Sequence, residues 1–288
     1  MYCPSCRGEY REGFTWCQDC DVALVDALPD EPAEEEPKDR GVPGDDENGE
    51  GVEGQGTEGG AGPDREKSLR ALELLLVLFV AFGRPVLLSI RDWVTHYHPK
   101  TQDLTLYQQL SGTLEAVIAI ALLRYVLFRH GKSWRQLGLT AEKADVLPTL
   151  LLTFLAFLGN AAVRVSFGHS AFIGVLSDPL RALSGIPNLG LLGIVYYLTG
   201  AAWEELIVRA YMITEVVELT GQVPLAVLSS TCFQALYHVH QGRYYVLMDA
   251  VTFLILSLYY VKYRRITPVL LSHWFYNLLL IGYGAAGS

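Results

Sequence analysis

The sequence predicts an all-α polytopic membrane helix bundle of about seven transmembrane helices, preceded by a small cysteine-rich N-terminal module. Of the 288 residues, 51% are hydrophobic, and the mean hydropathy is +0.25 although a long polar leader lowers it. From about residue 70 the apolar residues fall into runs of roughly 17 to 25, the length that an α-helix needs to cross a bilayer. The runs are 71–91, 104–128, 146–166, 189–213, 223–241, 245–263 and 267–284.

The N-terminal module carries two C-x-x-C pairs, Cys3 with Cys6 and Cys17 with Cys20. Four thiolates can bind a tetrahedral Zn²⁺, and so short a segment has little core to fold around without a metal. Two disulfides in a secreted module are the alternative, but the first apolar run begins too late for a signal peptide. The segment also resembles the zinc ribbons that precede many bacterial proteins, which implies a binding or regulatory role. We therefore predict a structural zinc ribbon at residues 1–27, to which a protein partner could bind.

Residues 28–67 are predicted to be a disordered acidic linker. The stretch 30–66 holds fourteen acidic and three basic residues, so it accounts for more than the whole net charge of -9. It is rich in Glu, Gly and Pro and has too few large apolar side chains to form a core. An acidic recognition tail is the alternative. The helix bundle then occupies residues 68–288. The sequence has no basic patch of the kind that binds nucleic acid, so we expect no nucleic-acid partner.

Basic residues predict the orientation of the bundle. One cluster reaches from the end of the second run to the start of the third, and another lies around the junction of the sixth and seventh: Arg124, Arg129, Lys132, Arg135, Lys143, Lys262, Arg264 and Arg265. Both clusters fall on the same side as the N-terminus, and positively charged loops favour the cytoplasm. We expect an integral protein of a bacterial inner membrane with its N-terminus in the cytoplasm and its C-terminus outside.

Two adjacent glutamates interrupt the fourth apolar run, in the stretch AAWEELIVRAYM. A carboxylate in the middle of a membrane costs at least about 2.5 kcal/mol, so such residues face the bundle interior and are functional by default. Glu205 and Arg209 are spaced i,i+4 and can form an ion pair on one face of a helix. Glu204 is rotated by about 100° and meets only apolar residues at i+3 and i+4. We therefore expect Glu204 to remain available.

Further polar residues lie in the later runs. His238 lies near the end of the fifth run, and His273 and Asn277 are spaced i,i+4 in the seventh. Taken singly, each is as readily explained by packing or by helix association. Together with the glutamates, they bring a base, two imidazoles and a neutral donor onto three helices of one bundle. Such a set can hydrolyse a carbonyl compound.

The order of these motifs resembles that of the CPBP or Abi intramembrane proteases, which include the CAAX prenyl-protein endopeptidases. The marks of that family are E-E-x-x-x-R, F-x-x-x-H and H-x-x-x-N on separate helices. This chain has EELIVR at 204–209 and HWFYN at 273–277, whereas Gln234 stands four residues before His238 and Phe233 five before. The resemblance covers roughly residues 70–284, and its specific part is about 200–277.

The resemblance implies cleavage of a peptide bond of a membrane-associated peptide or protein by glutamate-activated water. It implies that Glu204 is the general base, that His238 positions the water, and that His273 and Asn277 stabilise the oxyanion. Glu205 and Arg209 would then be architectural. Glu204, His238 and His273 could instead hold a catalytic Zn²⁺. No HExxH motif is present, and we expect no catalytic metal.

The depth of the candidate residues predicts an irregular fifth run. In straight helices His238 would lie about 13 Å deeper than His273, given a rise of 1.5 Å per residue. We therefore expect the fifth run to be broken or strongly tilted, with the break at Pro224 or in the stretch GQVP.

Two other functions remain open from the sequence. A catalytically silent scaffold or immunity protein of the same fold would not need so many buried polar groups. A proton-coupled transporter could use the glutamates as a relay, but such proteins usually contain internal repeats, which are not evident here.

Overall fold

In a computed structural model, the residues described are 2–4, 16–17, 22–26, 63–95, 105–167, 175 and 178–286. The chain divides into two compact units, Met1–Ala61 and Gly62–Ser288. In the first unit, β1 (Trp16–Cys17) pairs antiparallel with β2 (Val22–Ala23), and a bridge joins Tyr2 to Val25. Cys3 is buried. The side chain of Cys17, the residues Cys6 and Cys20, and most of the predicted linker lie outside the described part, so the zinc ribbon stays a prediction.

The second unit is an all-α membrane helix bundle, as predicted. Its helices are α1 (Pro63–Val94), α2 (Leu106–Arg129), α3 (Val146–Ser166), α4 (Pro179–Gly185), α5 (Gly190–Glu204), α6 (Met212–Thr220), α7 (Val223–Leu236), α8 (Arg243–Tyr263) and α9 (Thr267–Ala285). A π-helical segment, Glu205–Tyr211, joins α5 to α6. Short 3₁₀ turns occupy Lys143–Asp145, Ile186–Leu189 and Val239–Gln241.

Five described segments are long and apolar enough to cross a membrane: Arg65–Val94, Leu106–Arg129, Lys143–Ser166, Pro179–Thr220 and Tyr244–Tyr263. Only 28–33% of their most apolar stretches is buried in the bundle, and large apolar side chains such as Leu76, Phe79 and Phe128 are exposed. In a membrane, lipid chains cover such a surface. The inward faces meet in one apolar core that includes Phe82, Leu123, Ile207, Leu256 and Val269.

The fifth apolar run is broken, as predicted, but at a different place. Its helix, α7, has only 14 residues. At a rise of 1.5 Å per residue it is about 21 Å long, less than the roughly 30 Å of a bilayer core. The helix stops at Leu236, and a turn leads to Gly242, whose φ of +98° favours glycine. Pro224 lies in the first turn of α7 and does not break it, because the backbone N–H groups of a first turn have no partner within the helix and proline lacks this group.

The position of α9 is fixed at both ends. Near its start, Thr140 donates its N–H to Thr267 Oγ1 (3.1 Å), and Ile266 donates to the carbonyl of Gly138 (3.0 Å). Near its end, Gly282 packs against Gly185 of α4, where a Cβ on Gly185 would lie 1.9 Å from the Gly282 carbonyl oxygen. Small residues allow this close approach of two helices. The candidate residues on α9 therefore sit on a firmly docked helix.

Candidate active site

The glutamate pair lies where the helical segment Pro179–Thr220 changes from α to π geometry. Glu204 is the last residue of α5, and Glu205 begins the π-helical segment that ends at Tyr211. A π turn inserts one extra residue and occurs frequently at functional sites. In this protein it brings Glu205 and Arg209 into the bundle interior, where neither side chain is exposed.

The predicted ion pair between Glu205 and Arg209 is present. Arg209 Nε lies 3.2 Å from Glu205 Oε2. Arg209 also donates to Ser230 Oγ (2.8 Å) and to Gln234 Oε1 on α7, and its guanidinium lies over the ring of Phe253 at 4.9 Å from the centroid. A buried charge needs such a set of partners, because an unpaired one is strongly destabilising. Arg209 therefore ties α7 and α8 to the glutamate helix.

Glu204 has a partner that its own helix does not supply. As expected, no residue of its own helix pairs with it, but Gln234 Nε2 of α7 donates to its Oε2 at 2.7 Å. The Glu204 side chain is 15% exposed, whereas that of Glu205 is fully buried. The buried Tyr237 hydroxyl lies beside Glu204 without a well-formed hydrogen bond to any described residue. One carboxylate oxygen of Glu204 is thus held, and the group remains accessible.

His273 on α9 connects the two glutamates. Its Nδ1 lies 2.8 Å from Glu205 Oε1, and its Nε2 lies 4.0 Å from Glu204 Oε2. Because an ionised carboxylate only accepts hydrogen bonds, Nδ1 carries a proton, and in the neutral imidazole Nε2 then faces Glu204 with its lone pair. A gap of 4.0 Å suits one water molecule that makes two hydrogen bonds of about 2.8 Å. Glu205 therefore orients His273 in addition to pairing with Arg209.

His238 lies apart from this cluster, in the turn after α7. Its Nδ1 is 2.8 Å from Gln241 Nε2 and 3.8 Å from Asp249 Oδ2. Its Nε2 is buried and has no hydrogen-bond partner among the described residues. The Phe253 ring contacts both imidazoles, with centroids 5.8 Å from His238 and 5.7 Å from His273. A phenyl ring thus lies between the two histidines.

Asn277 lies one turn after His273 on α9 and is half-buried. It makes no hydrogen bond to a glutamate or histidine within the described part of the chain. Its neighbour Tyr276 instead accepts a hydrogen bond at 2.5 Å from Asn160, which is fully buried on α3.

Two polar residues near the site were not predicted as site residues. Gln234 bridges Arg209 and Glu204, although the sequence shows it only as a departure from the second motif. Asp249 is the single acidic residue of α8, and its buried Oδ2 makes no hydrogen bond in the described structure, although His238 Nδ1 lies 3.8 Å away. The signal for Asp249 was present, because an acidic residue in a membrane-spanning run is functional by default.

The donor atoms of Glu204, Glu205 and His273 lie within 4.8 Å of one another, so we tested whether they fit a metal ion. They fit poorly. Glu205 is already paired with the guanidinium of Arg209 and with His273 Nδ1, and a cation held by Glu205 would lie beside that guanidinium. His238 is not part of this group of donor atoms. The three residues predicted as an alternative zinc set are therefore not gathered around one point.

Taken together, the apolar helices and the buried polar cluster define an integral membrane protein with a candidate hydrolytic centre. Residues 186–279 match the family model for Rce1-like proteins, the type II CAAX prenyl endopeptidases. This segment contains the complete first and third motifs and the altered second one, and the resemblance to the CPBP family is confirmed there. Over this segment, about a third of the chain, the protein is similar to a family of membrane-embedded proteases. No curated protein and no solved structure matches the chain.

Proposed function

We propose that the protein is an intramembrane endopeptidase in which Glu204 activates water. The observation that carries the proposal is the 4.0 Å gap between Glu204 Oε2 and His273 Nε2, both of which can accept a hydrogen bond from one water molecule. Glu204 takes a proton from this water molecule while the water oxygen attacks the scissile carbonyl carbon. Glu204 then returns the proton to the leaving amine as the C–N bond breaks.

The hydrogen bonds support roles for the two histidines that are the reverse of those implied by the resemblance. His273 Nδ1 donates to Glu205, so its Nε2 accepts and holds the water. His238 Nδ1 accepts from the Gln241 amide, so its buried Nε2 carries a proton and can donate to the oxyanion. In this scheme Asn277, half-buried and uncommitted within the described structure, is a second oxyanion donor. Glu205 and Arg209 position His273.

The test is cleavage of a membrane-peptide library by the purified full chain in detergent, with Glu204→Gln for comparison and with or without a chelator. We expect cleavage by the wild type, loss of cleavage in the variant, and no effect of the chelator, because the buried Arg209 disfavours a cation in the cluster. Chelator-sensitive activity restored by zinc in a Cys3→Ser, Cys6→Ser protein would overturn the metal-free mechanism. A wild type without activity on any peptide would favour a silent scaffold.

The proposal extends to the parts outside the bundle. Cys3, Cys6, Cys17 and Cys20 bind one structural zinc, the ribbon and the N-terminus lie in the cytoplasm, and the C-terminus lies outside. Metal analysis of the purified chain should give one zinc, which should be lost when Cys3 and Cys6 are replaced by serine. Labelling of single added cysteines from either side of the membrane tests the orientation.

A further inference from the structure

Gln234 is a buried neutral residue between two charged ones. It lies on α7 with no exposed surface, receives a hydrogen bond from Arg209 Nη2 on its Oε1, and donates from Nε2 to Glu204 Oε2 at 2.7 Å. An amide can accept at one end and donate at the other. Gln234 therefore connects the guanidinium to the carboxylate across two helices.

The orientation of this amide is set by its neighbours. A guanidinium has only donors, so the amide oxygen must face Arg209 and the NH₂ group must face Glu204. Arg209 is itself held by Glu205 and Ser230, and Ser230 Oγ also donates to the Val208 carbonyl at 2.8 Å. The donor that Gln234 directs at Glu204 thus rests on a rigid framework.

Phe233 supplies the aromatic packing next to position 234, so the side chain at 234 can be the amide that bridges Arg209 and Glu204. Phe233 packs edge-on against Phe82, with ring centroids 5.5 Å apart, and also contacts Tyr237. One residue along a helix is a rotation of about 100°, so the amide at 234 points to a different face. A phenylalanine at 234, as in the F-x-x-x-H pattern, could neither accept from Arg209 nor donate to Glu204.

We propose that Gln234 is a positioning residue that fixes the Glu204 carboxylate for the attack on substrate, an inference that rests on the proposed function. By holding Oε2, the amide leaves the remaining lone pairs of Glu204 to the water and keeps the carboxylate beside His273. Loss of the amide allows Glu204 to rotate away. Because Gln234 is fully buried and does not reach the substrate itself, this loss affects the chemical step more than substrate binding.

The kinetic experiment compares Gln234→Leu and Gln234→Glu with the wild type on a peptide that the wild type cleaves. Gln234→Glu is isosteric and keeps an acceptor for Arg209, so it tests the bridge even where Gln234→Leu fails to fold. We expect kcat to fall about 10- to 100-fold in both with little change in KM, because a small misplacement of a reacting group has that effect. Ser229→Ala, which removes only a hydroxyl bonded to Ala226 within α7, is the matched control.

Labelling with dicyclohexylcarbodiimide tests the bridge independently of cleavage. This apolar reagent forms a stable adduct with protonated carboxyl groups, and the Gln234 donor stabilises the charged form of Glu204. Mass spectrometry should find Glu204 modified several-fold faster in both Gln234 variants and at the wild-type rate in Ser229→Ala. Wild-type kcat and an unchanged labelling rate in Gln234→Glu would overturn the inference. If Glu204 is labelled faster in the Gln234 variants but the wild type cleaves no peptide, the Gln234 bridge is supported and the proposed function is rejected.

Discussion

Two charged clusters on the segment Pro179–Thr220 differ in how many cations they offer to their carboxylates. Near its end, Glu215 and Glu218 both contact Arg70 of α1 and Lys132 of the loop after α2, with Lys132 Nζ at 3.0 and 2.9 Å. Two carboxylates there meet two cations, and the cluster ties three parts of the bundle together.

The second cluster has two carboxylates and a single guanidinium. Arg209 pairs with Glu205, whereas Glu204 has a neutral amide at 2.7 Å and an imidazole nitrogen at 4.0 Å. A balanced cluster leaves no carboxylate free to react. The unbalanced one retains a base inside a membrane bundle, and the following predictions test this difference.

The largest expected effect is on catalysis, from Glu204→Gln. Loss of a general base lowers the rate by about 10²- to 10⁴-fold. The matched variant Glu215→Gln should retain activity, because its carboxylate belongs to the balanced cluster. Initial rates of peptide cleavage with both proteins in the same detergent give the comparison. Equal activities would contradict the assignment of Glu204.

A large effect on stability is expected from Arg209→Met. This change leaves Glu205 buried without its cation, and breaking a buried pair in this way costs about 3–5 kcal/mol. Arg70→Met should cost less, since Arg70 is 24% exposed and water can replace its contacts. Thermal unfolding in detergent measures both. A similar melting temperature for the two variants would show that the buried ion pair contributes no more to stability than the partly exposed one.

The proposed roles of the histidines, with His273 holding the water and His238 donating to the oxyanion, predict an intermediate effect. Removal of one oxyanion donor usually lowers kcat by about 10²- to 10³-fold, and we expect His238→Phe to fall in this range. His238→Gln should recover part of the rate, because its amide can still donate. The ratio of the two kcat values is the measurement. If glutamine restores nothing, His238 acts through its lone pair, as the resemblance implies.

The smallest effect is expected from Lys132→Ala in the balanced cluster. Partly exposed ion pairs contribute about 0–1 kcal/mol, and salt weakens them. The variant should keep its activity and melt slightly lower at low ionic strength. Melting curves at two salt concentrations test this expectation, and a large loss of activity would mean that this cluster also serves the reaction.

The sequence predicted those features that follow from local spacing. Apolar runs became helices because an isolated backbone in lipid must satisfy its own hydrogen bonds. The pair Glu205 and Arg209 followed from i,i+4 geometry. The bridge through Gln234 did not, since it depends on how α7 packs against the π-helical segment. The π turn itself was also beyond prediction, because Glu205–Tyr211 has no composition that distinguishes it from an α-helix.

The break in the fifth run shows a second limit of local reasoning. The sequence placed the break at Pro224, but a proline is also suited to the first turn of a helix. The helix actually ends at Leu236, and the turn Tyr237–Gly242 follows. Asp249 illustrates the opposite case, in which a clear local signal went unused.

The shortness of α7 also bears on the supply of water. A helix of about 21 Å in a bilayer core of about 30 Å creates a mismatch, which membranes relieve by thinning locally. Thinning of this kind brings head groups and water closer to the ends of a short helix, and His238 lies in the turn at the end of α7. A hydrolase embedded in lipid consumes one water molecule for every bond it cleaves. In the proposed intramembrane protease, local thinning of the membrane around α7 would give this reactant a shorter path to the turn that holds His238.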